Sequence, residues 1–242
     1  MLSNKEFRAS ARQALTNNWG TAVAVSFVFI CTYIFLSLIA SIPDFLGDAI
    51  DKIIPRYSGE EVLVNILSAS SIMLDLLSLI FDILLFPMEW GISILFLGFY
   101  RGGSLTFEGL FAGFTGGRYG RTLYTYFLNF VRVLLWSLLF IVPGIMKCYS
   151  YAMFPYILKD YPDLNAPQVL AMSRKMMDGR RWQLFLLHLS FIGWFLLALL
   201  TCGIGLFWLH PYVGLSEIAF YENARAEYEA EQGGEAPLQA NE

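Results

Sequence analysis

Charged residues are scarce in this sequence, and so are the residue types on which most active sites depend. Only 15% of the 242 residues are charged, against about a quarter in an ordinary soluble domain. The chain has two histidines and three cysteines, without CxxC or HExxH spacing, and it has no glycine-rich phosphate loop and no GxSxG turn. We therefore predict that the protein is not an enzyme and that it binds no metal ion or cofactor.

Two further absences narrow the class of protein. The net charge is −4, and no basic stripe is interleaved with aromatic residues, which argues against nucleic-acid binding. Cys31, Cys148 and Cys202 all fall in apolar segments without a partner nearby in the sequence. We interpret them as buried, unreactive thiols.

Apolar residues are abundant instead. They make up 57% of the chain, and the mean hydropathy is +0.55. A chain of this size cannot bury that much apolar surface in its own core, so lipid must cover the rest. The first long run, residues 20–42, contains no charge and no convincing cleavage site, so we predict a retained membrane span rather than a signal peptide.

The apolar runs predict an all-α fold, a polytopic transmembrane helical bundle. They cover residues 20–42, 62–100, 123–142, 145–158, 182–200 and 204–221. The chain could reverse within the second run at Pro87, or between the third and fourth at Pro143-Gly144. With a reversal at Pro143-Gly144, the basic residues outside the spans all lie on one side of the membrane except Lys52 and Arg56. This distribution fits the positive-inside rule better than a reversal at Pro87 does. We predict about six spans, both termini in the cytoplasm and a long second helix bent near Pro87; whether residues 62–100 cross once or twice stays open.

Short amphipathic segments at residues 6–18, 106–121 and 166–180 precede pairs of spans on the cytoplasmic side. The first and third are alike, with Arg12 and Arg174 at matching places and Trp19 and Trp182 opening the next span. We predict interfacial helices at the headgroups and interpret the likeness as an internal repeat. Residues 1–222 then form one membrane domain, and residues 223–242 a disordered acidic tail.

A series of short motifs runs through the chain in a recognisable order. They are Arg8-x-x-Ala11-Arg12-x-x-Leu15, Phe107-x-x-Leu110-Phe111-x-Gly113-Phe114, Val142-Pro143-Gly144-Ile145, Tyr149-Ser150-Tyr151-Ala152-Met153, Tyr156-Ile157-Leu158-x-Asp160-x-Pro162, Ala171-Met172-Ser173-Arg174-Lys175-Met176-Met177-x-Gly179, Gly203-Ile204-Gly205, Pro211-Tyr212 and Ala219-Phe220-Tyr221. Their order and spacing resemble the bacterial membrane-protein family known as domain of unknown function 975. The resemblance covers nearly the whole chain and is weakest between residues 42 and 86. It implies a bacterial cytoplasmic-membrane protein without an established activity, and it supplies no catalytic residues.

Three acidic residues in the second run are candidates for an intramembrane polar site. Asp75, Asp82 and Glu89 are seven residues apart, so they fall within about 40° on one helix face. Ionisable groups at membrane depth normally face a bundle interior or a water-filled cavity. The functional hypothesis is an acidic lane for a cation, a proton or a basic substrate. In the alternative, Asp75 and Asp82 lie at the outer interface and only Glu89 is deep.

Four other polar residues complete the candidate intramembrane site. Arg132 lies near the middle of its span, with Asn129 one turn before it. It needs a partner, for which Glu89 and Glu217 are the candidates. A structural ion pair and a site for an anionic headgroup or substrate are the two interpretations. We interpret His188 as a hydrogen-bonded core histidine, with a proton relay as the alternative.

Two functions are compatible with these features. The first is transport of a small solute or ion through the bundle, by way of the acidic lane and Arg132. The second is a non-catalytic protein that binds lipid or scaffolds a membrane partner, holding anionic phospholipid headgroups through basic residues. The candidate headgroup contacts are Arg12, Arg174, Lys175, Arg180 and Arg181. A homo-oligomer or another membrane protein remains open as a partner.

Overall fold

The computed structural model describes residues 2–53, 61–114 and 119–231, and all regular structure in them is helical. The helices are α1 (Asn4–Leu15), α2 (Trp19–Ala40), α3 (Ile42–Ile53), α4 (Glu61–Tyr100), α5 (Tyr119–Leu139), α6 (Ile141–Tyr151), α7 (Phe154–Asp160), α8 (Ala166–Met176), α9 (Arg181–Leu189), α10 (Ile192–Leu200) and α11 (Leu206–Glu231). A 3-10 turn, Glu108–Phe111, lies between α4 and α5. The all-α fold class is confirmed within these residues.

Within the described residues, three helical stretches are long and apolar enough to cross a membrane. They are Trp19–Ile39, Tyr119–Leu139 and Arg181–Leu200, the last formed by α9 and α10 together. Many of their large apolar side chains lie outside any core; Leu138 is 78% exposed and Leu200 is 80% exposed. Exposed apolar surface on this scale marks contact with a membrane or a partner. These features indicate membrane association, and the number of crossings stays a prediction.

α4 is one helix across the whole second apolar run. It has 40 residues, with Pro87 inside it, and at 1.5 Å per residue it is about 60 Å long. The prediction of a single long helix is confirmed, and the alternative reversal at Pro87 is wrong.

Two helix pairs reverse tightly. Between α5 and α6 the backbone is extended at Phe140 (φ −159°, ψ 146°), just ahead of the predicted break. A Cβ added at Gly144 would meet Ser137, whose Cα lies only 2.8 Å from that position. At the turn between α10 and α11, a Cβ added at Gly205 would likewise lie only 2.8 Å from the Cα of Ala198. Each hairpin closes on a glycine seven residues after a small residue, which lets the two backbones touch.

We expect Gly144→Ala to destabilise the fold, because the added Cβ would overlap Ser137 and force α5 and α6 apart. Overpacking of this kind costs about 1–3 kcal/mol. Gly120→Ala on α5 is the matched control, since nothing lies within 4 Å of its Cβ position. Thermal unfolding in detergent should show a lower melting temperature for the first variant only. Equal melting temperatures would contradict the close contact.

α1 and α8 are built alike, as the likeness of their sequences predicts. Each begins with a capping box, which Ser3 leads in α1 and Asn165 leads in α8. Each is followed by a residue with positive φ, Asn17 (68°) and Gly179 (73°), that turns the chain into the next apolar helix. This shared geometry supports the internal repeat for these two segments.

The middle segment differs, and the prediction of an interfacial amphipathic helix there is wrong in its described part. The glycine-rich chain has low helix propensity and forms only the 3-10 turn, with Leu110 buried. Gly91 of α4 lies so close to the carbonyl oxygen of Leu110 that no side chain would fit between them. The segment therefore packs along α4.

Two other predictions need correction. α11 continues to Glu231, with Ala224 and Tyr228 buried, so residues 223–231 are helical rather than part of a disordered tail; residues 232–242 lie outside the described residues. The three cysteines are exposed rather than buried. A thiol behaves as a small apolar group, so a surface that faces lipid suits it as well as a core does.

The buried core gathers where the short helices pack on the long ones. α1 packs against α11, and α8 packs against α5 and α7. Phe7, Leu158, Met172 and Tyr221 are among its fully buried side chains. The sites described next lie around this core.

Candidate functional site

Four basic side chains line one cavity of about 450 Å³. Arg132 comes from α5, Arg174 and Lys175 from α8, and Arg181 from α9, while Tyr151 of α6 forms part of the wall. The sequence predicts Arg132 in an intramembrane site and the other three residues at headgroup contacts. The structure brings all four together, and we call this cavity the basic pocket.

α8 presents Arg174 and Lys175 because its opposite face is buried. Ser173 and Met176 on that face are buried, and the two basic residues between them are exposed. The hydroxyl of Ser173 donates a hydrogen bond to the carbonyl oxygen of Ser150 at 3.2 Å, which holds α8 on α6. The basic side chains are therefore held on the outer side of α8.

The basic pocket carries an excess of positive charge. Asp178 is the acidic residue among its described lining, and it accepts a hydrogen bond from Arg181 at 3.2 Å. Four cations thus face one carboxylate. Lys147 of α6 adds to the positive field, since its charge interacts with those of the three arginines. Such an arrangement attracts an anion.

Arg132 has no carboxylate partner in the part of the chain that the structure describes. Glu217 bonds to His188 instead, and Glu89 is exposed on α4. The predicted ion pair of Arg132 with one of these two residues is therefore wrong. Asn129, one turn earlier, has a buried Oδ1 without a hydrogen-bond partner among the described residues. Arg132 is left to face the basic pocket.

The predicted acidic lane is described only in part. Asp75, Asp82 and Glu89 all lie on α4 and share one face of it, because they are seven residues apart. The side chains of Asp75 and Asp82 lie outside the described residues. The lane stays a prediction.

His188 joins three helices. Its Nε2 lies 2.7 Å from Glu217 Oε1 on α11, and its Nδ1 lies 3.3 Å from the hydroxyl oxygen of Tyr149 on α6, so both ring nitrogens are within hydrogen-bond distance of a partner. This agrees with the interpretation of a hydrogen-bonded histidine. The side chain is 33% exposed, so it is half-buried rather than part of the core.

A second cavity, of about 500 Å³, lies between α4 and α11. Its lining is mostly apolar, and Tyr156, His210 and Glu217 are among its polar residues. His210 Nδ1 lies 3.1 Å from the hydroxyl of Ser26, and its ring stacks on Phe29 at 5.4 Å. These contacts tie α2 to α11 beside the cavity.

The two remaining candidate headgroup contacts lie elsewhere. Arg180 donates to the carbonyl oxygen of Ala224 at 2.9 Å and pairs with Glu227 at 2.6 Å. Arg12 lines a separate apolar groove with three tryptophans. Neither joins the basic pocket.

A network of hydrogen bonds around the carboxylate of Asp160 is not predicted by the sequence pattern. This residue ends α7, its side chain is 6% exposed, and it accepts four hydrogen bonds. Arg101 donates two, at 2.7 and 2.6 Å, while Arg225 and the hydroxyl of Tyr221 donate one each at 2.7 Å. The network joins the end of α4 to α7 and α11. The motifs contained Asp160 and Tyr221, but nothing in them indicated that these residues meet.

The pKa of Asp160 shows how strongly this network favours the ionised carboxylate. Burial opposes its charge and would raise the pKa. Hydrogen bonds from Arg101 and Tyr221, together with the charges of Arg101 and Arg225, outweigh burial and hold the pKa below its ordinary value. Asp160 is therefore a structural anion.

Arg121 forms a second unpredicted contact. Its guanidinium donates to the carbonyl oxygens of Leu158, Tyr161 and Leu164, at 3.3, 2.9 and 3.0 Å. These carbonyls lie at the end of α7 and in the chain before α8, where a helix end leaves carbonyl oxygens free to accept from other donors. Arg121 thereby caps α7 and positions the start of α8.

These features define an all-helical, membrane-associated protein with a basic pocket and two polar clusters that join its helices. Residues 141–228 match the model of a family described as Protein of unknown function (DUF975). Over that range the match confirms the resemblance drawn from the motifs. The family description assigns no activity. No curated protein and no solved structure matches the chain.

Proposed function

We propose that the protein is a non-catalytic membrane protein that binds an anionic phospholipid headgroup in the basic pocket. The carrying observation is the convergence of Arg132, Arg174, Lys175 and Arg181 on one cavity. Arginine offers a planar fork of donors that matches phosphate oxygens, and lysine adds a point charge. Arg132 in particular has no carboxylate to satisfy it among the described residues, so a phosphate would supply the missing anion.

The surroundings of the pocket favour a lipid over a soluble anion. α8 and the apolar hairpin of α5 and α6 border it, so the same cavity adjoins surface suited to acyl chains. In a bacterium the cytoplasmic membrane supplies such headgroups, and basic segments beside spans lie on its cytoplasmic side. We accordingly place both termini in the cytoplasm.

Binding of a phosphatidylglycerol probe to the detergent-solubilised full chain tests this proposal. We expect Arg174→Gln/Lys175→Gln to weaken binding by about 30-fold, since each basic residue contributes about 1 kcal/mol of attraction. The matched control is Lys5→Gln/Lys159→Gln, which removes the same charge from two exposed lysines outside the pocket. It should bind within a few-fold of the parent.

Two results would contradict the proposal. One is equal affinity of the pocket variant and the parent, and the other is equal affinity for phosphatidylglycerol and phosphatidylcholine. Soluble glycerol phosphate is the third arm of the experiment. If it binds as tightly as the lipid, the pocket takes a soluble anion.

Transport has weaker support from the geometry. The cavity between α4 and α11 contains Glu217 and His210, which suits a cation or proton site, but Glu217 is already bonded to His188. Arg132, the other half of that hypothesis, faces the basic pocket. Solute flux in proteoliposomes that depends on Glu217 would reverse this preference.

A further inference from the structure

We infer that the α5–α6 hairpin enters only one leaflet of the bilayer, with the turn at Phe140 near the bilayer centre. Its partner is the hydrocarbon of the cytoplasmic leaflet. A ring of cations, which we call the basic collar, stays at the headgroups; its members are Arg132, Lys147, Arg174, Lys175 and Arg181. The inference rests on the proposed function in one respect, that the basic pocket lies at headgroup level.

The length of the hairpin above the collar limits its depth. Arg132 lies eight residues before Phe140, and Lys147 lies seven residues after it. At 1.5 Å per residue, the turn is about 12 Å from the Cα of Arg132 and about 10 Å from that of Lys147. The hydrocarbon core is about 30 Å thick. The hairpin therefore reaches the depth of one leaflet and cannot reach the opposite surface.

The hairpin cannot insert more deeply, because the cations of the basic collar would then enter the hydrocarbon. A cation at the bilayer centre costs at least about 2.5–3.5 kcal/mol, and the pocket offers one carboxylate for several cations. Lys147 also lies over the ring of Trp136, with its Nζ 4.5 Å from the ring centroid. Tryptophan and lysine side by side are typical of the membrane–water interface.

The hairpin beyond the collar is suited to hydrocarbon. Leu138, Phe140, Ile141 and Val142 are 78%, 68%, 77% and 67% exposed, and no charged residue lies between positions 132 and 147. Such a tip has no protein partner in the described chain, and water would be a poor solvent for it.

Part of the turn's backbone is paired internally, as a water-free site requires. The N–H of Phe140 donates to the carbonyl oxygen of Trp136, and the N–H of Gly144 donates to that of Phe140, both at 3.2 Å. Pro143 has no N–H to satisfy. A turn in hydrocarbon needs such internal pairing, because no water is there to replace it.

A hairpin that enters only one leaflet does not change the side of the membrane on which the flanking segments lie. It enters and leaves through the cytoplasmic face, so the segments before α5 and after α7 stay on the same side. The chain then crosses four times, through α2, α4, the α9–α10 pair and α11.

Single cysteines measure the depth directly in a full chain from which Cys31, Cys148 and Cys202 are removed. All three native thiols are exposed, so their loss disturbs little packing. A cysteine at Ile141 is probed with a membrane-impermeant maleimide in intact cells and in inverted vesicles. Cysteines at Asp51 and Lys159 are the outer and inner controls. We expect Ile141→Cys to stay at background from both sides, while each control is labelled from one side.

A permeant fluorophore on the same cysteine supplies the second readout. Quenching by lipids brominated near the ends of their acyl chains should exceed quenching by lipids brominated near the headgroup. Labelling of Ile141→Cys from outside, as at Asp51, would overturn the inference, and so would labelling from inside. If Ile141→Cys is labelled from outside while headgroup binding is intact, only this inference is contradicted. If Ile141 lies near the bilayer centre but Arg174→Gln/Lys175→Gln binds the headgroup as tightly as the parent, only the proposed function is contradicted.

Discussion

Replacing Asp160 by asparagine should lower the melting temperature of the detergent-solubilised protein by roughly 10 °C, the shift that a loss of about 3–5 kcal/mol produces in a chain of this length. The carboxylate is 6% exposed and pairs with Arg101 and Arg225. An amide keeps the shape but removes the charge, so Arg101 and Arg225 each lose one of two counter-ions; Arg101 keeps Glu222 and Arg225 keeps Glu229. The four hydrogen bonds to a buried, charged oxygen are weakened or lost, and each such bond contributes about 1.5–3 kcal/mol.

Asp163→Asn is the matched control for this prediction. Asp163 is exposed three residues away, and the substitution removes the same charge. Its effect should stay within about 0.5 kcal/mol. A similar melting temperature for the two variants would mean that the network contributes nothing to stability.

The same network predicts how stability depends on pH. The folded state holds the pKa of Asp160 below its ordinary 3.8, so the stabilisation is complete at neutral pH and is lost as the pH falls below about that value toward the lower folded-state pKa. The parent should therefore lose stability in this acid range, and Asp160→Asn should lose less. Melting temperatures measured from pH 7 down to pH 3 give the comparison.

The second large effect is expected from Arg121→Met. Methionine fills part of the space but donates no hydrogen bond, so three carbonyl oxygens lose a charged donor at once. Each bond to a charged group contributes about 1.5–3 kcal/mol, which makes a total loss of at least about 3 kcal/mol reasonable. We expect lower yields of folded protein and a broad, early unfolding transition.

Arg121→Lys and Lys159→Met separate the contributions to this effect. Lysine keeps the charge but not the planar fork, so Arg121→Lys should recover only part of the stability. Lys159→Met removes the same charge from an exposed position nearby and should be almost neutral. If Arg121→Lys restored the parent stability, the fork geometry would be irrelevant and charge alone would suffice.

The features that the sequence predicted are those that local pattern determines. Apolar runs predicted the helices, and the asymmetry of basic residues correctly rejected a reversal at Pro87. The common construction of α1 and α8 followed from matching positions around Arg12 and Arg174. The glycine-rich middle segment was mistaken for a third copy, because its packing on Gly91 depends on a contact between distant parts of the chain.

The candidate site was harder to predict for the same reason. A lone arginine in an apolar run, such as Arg132, has the same local pattern whether it meets a glutamate or a set of other cations. Its true surroundings depend on where α8 packs against α5, and no spacing in the sequence encodes that. The four donors of Asp160 come from residues up to 65 positions away, which is equally invisible to periodicity.

The bonds around Asp160 also impose an order on biosynthesis. Arg101 and Asp160 leave the ribosome well before Tyr221 and Arg225, which come from the last helix. Until that helix is made, the carboxylate has only one of its two arginines. A chain that stops before α11 therefore cannot complete the contact, and its half-paired charge distinguishes the unfinished protein from the finished one.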